Sequence, residues 1–208
     1  MIKILLADRH AVCASESDRY RLSGARIQKA DEYRAENARL LSIAAGLLLD
    51  DGLKAFGYRE KDMTYGYGEY GKPYFANAPH VRFNLSHSGP YVMAALSNTC
   101  GLGCDVQTVR QSDLRAAERV FAPEELAVLK AETDDPDGLF TRLWAKRESL
   151  VKALGSSILL APRADETGFA FRGFALPGAY ACVCAENAEE LKAARCVLYA
   201  CGGEEELC

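Results

Sequence analysis

No apolar stretch of the chain is long enough to cross a membrane. The most apolar segment, residues 40–49, is interrupted by Ser42 and Gly46, whereas a spanning helix needs about 20 consecutive apolar residues. The apolar start, residues 4–7, is followed at once by Asp8, so it is too short for the apolar region of a secretory signal peptide. The sequence therefore predicts a cytoplasmic protein with no membrane association.

An excess of positive charge is also missing. The 208 residues include 25 Lys and Arg against 29 Asp and Glu, a formal net charge of −4, and proteins that bind nucleic acids generally present a basic surface. We therefore expect no nucleic-acid partner, and any polyanion must meet a local group of basic residues. With 49% hydrophobic and 26% charged residues, the chain has the composition of a globular protein and enough material for one large or two small domains.

The eight cysteines include no C-x-x-C pair, the spacing that is typical of zinc sites and redox motifs. Cys182, Cys184 and Cys196 lie in apolar, alternating segments, where a free cysteine behaves as a small hydrophobic residue. Disulfides are not expected in a chain without an export signal. We therefore predict reduced thiols rather than a metal cluster.

Hydrophobic periodicity predicts a chain that mixes helices and strands. Helical spacing of apolar residues indicates helices within residues 26–56, 113–121, 124–132 and 139–155. Alternating or continuous apolar runs indicate strands at residues 2–7, 169–174, 179–185 and 196–200. Residues 91–107 are interpreted as a β-hairpin, and the acidic residues 204–206 as a frayed end.

A glycine-rich segment, residues 65–73, matches two nucleotide-binding patterns in its letters only. Its glycines fit G-x-G-x-x-G, and residues 66–72 fit G-x-x-x-x-G-K. The second pattern needs Ser or Thr after the lysine and must open a helix, but Pro73 follows here. The first needs a βαβ unit with an acidic ribose ligand, which is not indicated. We reject both patterns and predict only a loop that ends at Lys72.

A Ser–His–Ser cluster, residues 86–88, follows a predicted strand. Adjacent residues on a strand point to opposite faces, so Ser86 and His87 make a poor nucleophile–base pair for a serine hydrolase. The cluster is better suited to donating hydrogen bonds to phosphate oxygens. An anion site is therefore the preferred interpretation, and the hydrolase is a weak alternative.

Residues 101–107 alternate with period two, so Gly103, Asp105 and Gln107 share one face of a strand. Glycines beside a carboxylate suggest that a bulky group, such as a phosphate or a hydrated metal ion, approaches the backbone. An ordinary edge strand with a solvated Asp105 is the alternative.

Two pairs of charged residues have helical spacing. Glu148 and Lys152 are four apart along the edge of the apolar face of the helix at 139–155, where either a weak surface ion pair or a functional carboxylate fits the spacing. Arg26 and Lys29 are three apart on a predicted helix, so they would share a face and could grip one phosphate. A solvated charged turn is the open alternative for that pair.

Four motifs resemble, in order and rough spacing, those of the 4'-phosphopantetheinyl transferases of the long, surfactin-synthetase-activating type. They are Gly71–Pro73, Phe83–Ser88, Gly103–Gln107 and Trp144–Lys152, and the resemblance extends over about residues 26–162. It implies an α+β fold of two similar α+β subdomains in a pseudo-twofold arrangement, with coenzyme A in the cleft between them. We place the boundary near Asn98, which gives an N-terminal half, 1–98, with coenzyme A contacts and a C-terminal half, 99–208, with the metal site and the catalytic helix.

The resemblance implies a monomeric enzyme that moves the phosphopantetheine arm of coenzyme A onto a serine of an acyl, peptidyl or aryl carrier protein. It implies that Asp105 and Glu148 bind Mg²⁺, with Mn²⁺ as the alternative, and that Glu148 also activates the attacking hydroxyl. Lys152 would hold the pyrophosphate. The other implied contacts with coenzyme A are Ser86, His87 and Lys72 at its phosphates, and Arg39, Arg26 and Lys29 near the 3'-phosphate and adenine.

Three residues depart from the family pattern. Gln107 stands where a Glu is usual, so its amide oxygen would ligate the metal or a metal-bound water without adding charge. Arg147 replaces a Lys, which keeps the charge but not the geometry, and Ser157 replaces a Gly. Gln107 keeps open a second hypothesis, a catalytically weakened homologue that binds coenzyme A or a carrier protein.

A group of arginines follows the Gly103–Gln107 motif. Arg115 and Arg119 are four apart on a predicted helix, with Arg110 just before it. We expect these three residues to meet an acidic helix of the carrier protein. An ordinary charged surface is the alternative.

Overall fold

The apolar strand Ile2–Asp8 (β1) lies in the middle of the larger of two stacked sheets. The structure is a computed structural model that describes residues 1–13, 15–200 and 203–207. Leu5 and Ala7 of β1 pack into one core, whereas Ile4 and Leu6 pack into a second core on the opposite face. Because both faces of the strand are covered, its sequence is continuously apolar rather than alternating.

The structure contains short and long helices in addition to ten strands among the described residues. The helices are α1 (Arg9–Val12), α2 (Gly24–Asp31), α3 (Glu36–Lys54), α4 (Leu114–Val120), α5 (Pro123–Ala131), α6 (Pro136–Leu154) and α7 (Ala188–Ala193). The strands after β1 are β2 (Tyr65–Tyr67), β3 (Pro73–Phe75), β4 (Arg82–Ser88), β5 (Tyr91–Ser97), β6 (Leu102–Thr108), β7 (Ala170–Leu176), β8 (Ala179–Ala185), β9 (Cys196–Ala200) and β10 (Gly203–Leu207). Short 3₁₀ turns cover Glu16–Arg21, Glu60–Asp62 and Ile158–Arg163.

The larger sheet has the strand order β10-β9-β1-β5-β4, in which β1 runs parallel to β9 and antiparallel to β5. The smaller sheet, β6-β8-β7, is antiparallel, and β2 and β3 form a separate hairpin. α3 covers the outer face of the larger sheet, and α6 covers the outer face of the smaller one. The layers are therefore helix, sheet, sheet and helix, and the predicted α+β class is confirmed.

The prediction that residues 91–107 form one hairpin is wrong. β5 pairs with β1 and β4, while β6 pairs with β8 in the other sheet. Residues 98–101 carry the chain between the sheets, so the apolar faces of β5 and β6 meet across a shared core instead of pairing edge to edge. The proposed boundary near Asn98 falls in this connection. Because β9 and β10 return to the larger sheet, the division into 1–98 and 99–208 stays a prediction.

The other predicted helices and strands are present with shifted ends. α6 begins at Pro136, one turn earlier than predicted, because the side chain of Asp135 accepts the N–H of Gly138 and caps the helix. The helix ends at Gly155, whose φ of 63° is left-handed. Residues 203–207 pair with β9, so the prediction of a frayed end is wrong for them.

The glycine-rich segment at 65–73 forms the β2–β3 hairpin, and β4 follows it rather than a helix. The six cysteines at positions 13, 100, 104, 182, 184 and 196 are free and buried. Cys201 and Cys208 lie outside the described residues. Over the described part of the chain, no helix has both the length and the apolar composition that a membrane crossing requires.

Candidate active site

The edge strands of the two sheets meet through side chains. β4 is the last strand of the larger sheet and β6 the first strand of the smaller one. Side chains at every second position of β4 accept backbone N–H groups from every second position of β6. The pairs are Asn84 Oδ1 with Cys104 (3.0 Å), Ser86 Oγ with Val106 (3.3 Å) and Ser88 Oγ with Thr108 (3.0 Å). These bonds, called the side-chain ladder below, fix β6 beside β4.

Asp105 lies between two bonds of the ladder and is almost fully buried, with 1% of its surface exposed. Its Oδ1 accepts hydrogen bonds from Ser86 Oγ (2.7 Å) and Lys152 Nζ (2.6 Å), and its Oδ2 accepts one from Gln107 Nε2 (2.9 Å). Burial alone would lower the pKa of Lys152, but the ion pair with Asp105 outweighs burial and raises that pKa. Asp105 is therefore a paired carboxylate and not the solvated one of the alternative interpretation.

Glycine at position 103 lets α6 lie directly against β6. A Cβ on Gly103 would collide with the backbone of α6 at Ser149 and Ala153. Because no side chain separates the helix from the strand, α6 brings Lys152 to the face of β6 that carries Asp105. The predicted alternation of this strand is confirmed, since its apolar residues lie in the core on the other face.

Glu148 lies one turn before Lys152 on α6 and is half-buried. Burial raises the pKa of Glu148 and the charge of Asp105 adds to the rise, while Lys152 and Arg110 oppose it. Within the described residues, no hydrogen bond or ion pair holds its carboxylate. Both oxygens are therefore available to a ligand.

A cavity of about 350 Å³ opens between α2, β4, β6 and α6. The structure brings to it eight of the residues that the sequence and the resemblance singled out. They are Arg26, Lys29, Ser86, His87, Asp105, Gln107, Glu148 and Lys152. The basic groups outnumber the carboxylates, so the cavity suits an anionic ligand. It supplies the local basic group that a chain of net negative charge needs for a polyanion.

Arg26 lies against a face of α3 that is made of small residues. Its Nη2 donates to the carbonyl oxygen of Ser42 (2.9 Å), while its Nε is buried without a hydrogen-bond partner among the described residues. Gly46 makes room for it, since a Cβ there would lie 3.3 Å from that Nε. Lys29 lines the cavity too, although its Nζ pairs with Glu32 at 2.6 Å. Arg26 is therefore the less satisfied of the two cations.

His87 faces the cavity beside Tyr33, a residue that sequence reasoning missed. The two rings meet edge to face with their centroids 6.4 Å apart. Desolvation of the ring where it faces the cavity, helped by the charges of Lys152 and Arg26, lowers the pKa of His87 and so favours the neutral ring, which presents one donor and one acceptor. Tyr33 follows α2 in a polar segment without periodicity, and no sequence signal marked it.

Ser86 is fully engaged by the protein. Its hydroxyl proton goes to Asp105, and its oxygen accepts from Val106 N (3.3 Å) and Lys152 Nζ (3.2 Å). A hydrolase nucleophile would instead donate to a base such as His87. The hydrolase alternative therefore lacks its nucleophile–base pair.

Lys72 lies outside this cavity. Its Nζ donates to the backbone oxygens of Leu102 (3.1 Å) and Ala153 (2.8 Å). Burial, together with the charge of Arg82, lowers the pKa of Lys72 to about 8. The residue therefore connects the β2–β3 hairpin to β6 and to the end of α6.

Arg39 does not line the cavity either. Its Nε donates to Glu16 (2.8 Å), and its Nη1 donates to the carbonyl oxygens of Tyr33 (3.3 Å) and Arg34 (3.0 Å). These bonds hold the segment between α2 and α3. Arg39 therefore supports the loop from which Tyr33 reaches His87.

Arg147 and Lys146 share two carboxylates from other segments. Arg147 Nε bonds to Glu125 of α5 (2.6 Å) and its Nη1 to Glu166 (2.9 Å), while Lys146 Nζ lies 3.1 Å and 3.0 Å from the same two carboxylates. A guanidinium reaches two carboxylates with separate nitrogens, which accounts for an arginine where the family pattern has a lysine. This four-residue group, called the ionic clamp below, ties the part of α6 that carries Glu148 to α5 and to Glu166.

The residues of the cavity fit a magnesium ion that is shared with a phosphate ligand. Within the described residues, no group of three or more His, Cys, Asp or Glu is arranged to hold a metal. Mg²⁺, however, binds through one or two carboxylates and takes its other ligands from waters and phosphates, and Asp105 and Glu148 line the same cavity. Gln107 directs its Nε2, not its oxygen, at Asp105, so its amide would have to turn to ligate a metal.

Comparison with known proteins shows which family part of the chain resembles. Residues 101–178, which run from before β6 to the end of β7, match the family model of the 4'-phosphopantetheinyl transferase superfamily. A 4'-phosphopantetheinyl transferase of Bacillus subtilis is 32% identical over 129 residues, which cover 62% of this chain and 57% of the relative.

Two further relatives agree. The 4'-phosphopantetheinyl transferase Sfp of Bacillus subtilis (strain 168) is 29% identical over 129 residues, 62% of this chain and 57% of the relative. The 4'-phosphopantetheinyl transferase AcpT of Escherichia coli (strain K12) is 38% identical over 104 residues, 49% of this chain and 53% of the relative. The chain thus spans little more than half the length of the curated relatives that it matches. The family match covers the segment that carries Asp105 and Glu148 and agrees with the resemblance seen in four motifs, so over these segments the chain is similar to the 4'-phosphopantetheinyl transferases, Sfp of Bacillus subtilis among them.

Proposed function

We propose that the protein transfers the 4'-phosphopantetheine group of coenzyme A to a serine of an apo acyl, peptidyl or aryl carrier protein and releases adenosine 3',5'-bisphosphate. The observation that carries the proposal is the meeting of Asp105, Glu148 and Lys152 at one cavity that suits an anion. The names of the relatives describe phosphopantetheinyl transferases. We also propose that the protein is a cytoplasmic monomer.

Glu148 is the proposed general base. A serine hydroxyl is a weak nucleophile, so a nearby group must take its proton as its oxygen attacks the phosphorus that bears the pantetheine arm. A carboxylate with a raised pKa accepts that proton more readily, and burial raises the pKa of Glu148. The lack of a bond to its carboxylate within the described residues leaves it free to do so.

Asp105 and Glu148 are the proposed ligands of magnesium, with manganese as the alternative. When bound, the ion would neutralise charge on the pyrophosphate and so favour the attack. Ser86 and Lys152 hold Asp105 in one orientation. Gln107 would offer an amide oxygen without a negative charge, so we expect weaker metal binding than a glutamate at this position would give.

Four basic side chains of the cavity are proposed to bind the phosphates. Lys152 and His87 would donate to the pyrophosphate, where charge builds up on the leaving bisphosphate. Arg26 and Lys29 would bind the 3'-phosphate. Arg26 lines the cavity, and its Nη2 is bonded to the carbonyl oxygen of Ser42 rather than to a carboxylate, which supports that assignment.

Lys72 and Arg39 enter the proposal from outside the cavity. Lys72 lines an adjoining cavity of about 230 Å³ together with Tyr70 and Lys152, and it would meet the nucleotide end of coenzyme A there. Arg39 would act near the same end through the loop that it holds. Ser86 would contact a phosphate only by giving up one of its present bonds.

Arg110, Arg115 and Arg119 are the proposed docking patch for the carrier protein. All three are exposed, and Arg110 lies over the Trp144 ring, 5.2 Å from its centroid, close enough to influence the pKa of Glu148. Basic side chains beside the base would guide an acidic helix that presents the reactive serine.

Mass spectrometry of the carrier protein tests the proposal. The protein is incubated with coenzyme A, magnesium and several apo carrier proteins, and each intact carrier is weighed. We expect the mass gain of one phosphopantetheine group with the wild type and none with Asp105→Ala. No gain with any carrier would contradict the proposal.

A catalytically weakened homologue that binds coenzyme A or a carrier protein is the second candidate. Gln107 favours it, because the amide removes one negative charge from the metal site. In that case calorimetry would detect coenzyme A binding while no carrier gained mass. Gln107→Glu would then restore transfer.

A further inference from the structure

Glu60 is a fully buried carboxylate that is held by neutral donors. It is 0% exposed, and it accepts hydrogen bonds from Ser23 N (2.7 Å), Ser23 Oγ (2.8 Å) and Tyr65 OH (2.6 Å). Among the described residues, no cation forms an ion pair with it. Removing a carboxylate from water is costly unless hydrogen bonds replace the lost hydration, so the two segments that supply these donors are held tightly to Glu60.

The first of these segments is the basic helix α2. Ser23 is its N-cap, and the Ser23 Oγ that donates to Glu60 also accepts the N–H of Arg26 (3.3 Å). α2 presents Arg26 and Lys29 to the candidate active-site cavity. The position of both cations therefore depends on where Glu60 holds the start of the helix.

The second segment is the β2–β3 hairpin. Tyr65 is the first residue of β2, and it pairs with Phe75 of β3. Tyr70 and Lys72 of the same hairpin line the adjoining cavity of about 230 Å³. Glu60 thus holds α2 and the hairpin, the two walls that supply residues to the two cavities where the nucleotide end of coenzyme A is proposed to bind.

Glu60 is itself fixed to the long helix α3. Its backbone N–H donates to Asp50 Oδ1 (2.9 Å), and Asp50 is 0% exposed. Arg59 binds both oxygens of Asp50, at 2.9 Å and 2.8 Å. Glu60 therefore anchors both walls to α3, a helix that is mostly buried.

We propose that Glu60 is a positioning residue that sets the spacing between α2 and the β2–β3 hairpin, and that it thereby determines the affinity for the 3'-phosphorylated nucleotide end of coenzyme A without touching it. This inference rests on the proposed function. It assigns to Glu60 an effect on binding and none on the chemical step, because Glu148 and Lys152 belong to a different wall.

The test substitutes Glu60→Gln, which keeps the size but turns one acceptor into a donor facing Ser23 or Tyr65. Calorimetry measures the dissociation constants of coenzyme A and of adenosine 3',5'-bisphosphate. We expect both constants to rise about tenfold, KM for coenzyme A to rise in parallel, and kcat at saturating coenzyme A to stay unchanged. Unchanged dissociation constants, or a loss confined to kcat, would overturn the inference.

Glu125→Gln is the matched control. Glu125 also accepts hydrogen bonds from three groups, Lys146, Arg147 and the N–H of Ala122, but it belongs to the ionic clamp. We expect it to lower the melting temperature without changing the dissociation constant of adenosine 3',5'-bisphosphate. An equal rise in both variants would show that affinity follows general stability and not Glu60.

Two milder variants cover the case in which Glu60→Gln does not fold. Tyr65→Phe and Ser23→Ala each remove one side-chain donor to Glu60, and each is expected to raise the dissociation constant by a smaller factor in the same direction. No rise in either would also overturn the inference. A wild type that binds no coenzyme A would contradict the proposed function itself, so the two failures are distinguishable.

Discussion

The two walls of the candidate active-site cavity are held in place by different kinds of interaction. On the α6 side, the ionic clamp and the ion pair of Asp105 with Lys152 bind charge to charge. On the α2 side, the donors that Glu60 receives from the described residues are the neutral groups of Ser23 and Tyr65. Lys146, Arg147 and Lys152 of α6 are thus each paired with a carboxylate of the protein. The carboxylate of Glu148 forms no such pair within the described residues and is left for a ligand.

This difference separates two tasks. On the α2 side Lys29 is paired with Glu32, but Glu60 takes its hydrogen bonds from neutral donors, so the charge of Arg26 stays available to a ligand. On the α6 side the charges hold one another in fixed directions, which a proton transfer requires. We therefore expect changes to the α6 wall to alter the rate and changes to the α2 wall to alter the affinity.

Glu148→Gln is expected to have the largest effect. The amide keeps the shape of the side chain but cannot take the serine proton, so the transfer rate should fall by about 10²–10⁴-fold. The dissociation constant of coenzyme A should change little, because no basic residue of the α2 wall is altered. Initial rates with an apo carrier protein and calorimetry measure the two quantities. A retained rate would show that another group is the base.

Arg26→Ala tests the opposite wall. Loss of a charge-assisted hydrogen bond to a phosphate should weaken coenzyme A binding by about tenfold and reduce kcat less. Arg34→Ala is the control, since Arg34 is an exposed arginine of the same segment that does not line the cavity. Equal effects of the two substitutions on the dissociation constant would remove the assignment of Arg26.

Arg147→Lys should produce a smaller effect on stability. A lysine cannot reach Glu125 and Glu166 with separate nitrogens, so the free energy of unfolding should fall by about 1 kcal/mol. The midpoint of urea unfolding measures it, provided that the slope is unchanged. An unchanged midpoint would show that a lysine holds the two carboxylates as well as the arginine does.

Lys72 should give the smallest effect, a change in the pH dependence of stability. Its pKa falls from 10.5 to about 8 on folding, so between these values the unfolded chain binds more protons than the folded one. The contribution of Lys72 to stability should therefore rise as the pH increases from about 8 towards 10.5. Urea unfolding of the wild type and Lys72→Met across this range isolates the contribution. Parallel curves would contradict it.

The parts of the site that are local in sequence were predictable. The alternation around Asp105 and the four-residue spacing of Glu148 and Lys152 both follow from the geometry of one strand and one helix. Their meeting could be inferred only through the family resemblance, because the contact of β6 with α6 joins distant parts of the chain. Gly103 indicated a close approach to the backbone, and the approaching group is α6 itself.

The errors concern partners that are far away in sequence. The turn at residues 98–101 indicated a reversal of direction, but a turn does not say which strand is the hydrogen-bonding partner, and β5 and β6 joined different sheets. The phosphate contact expected for Lys72 stays a prediction, and the acceptors that the structure gives it are backbone oxygens at positions 102 and 153, which no side-chain pattern reveals. The ladder did leave a signal, since Asn84, Ser86 and Ser88 are polar at alternate positions of a strand.

The side-chain ladder also bears on solubility. An unpaired sheet edge is a template on which another chain can add a strand, and natural proteins cover or interrupt such edges. β4 and β6 cover one another, and the polar residues Asn84, Ser86 and Ser88 occupy the N–H groups of β6 that an intruding strand would use. The contacts that hold Asp105 in place therefore also protect the newly folded chain against self-association along these two edges.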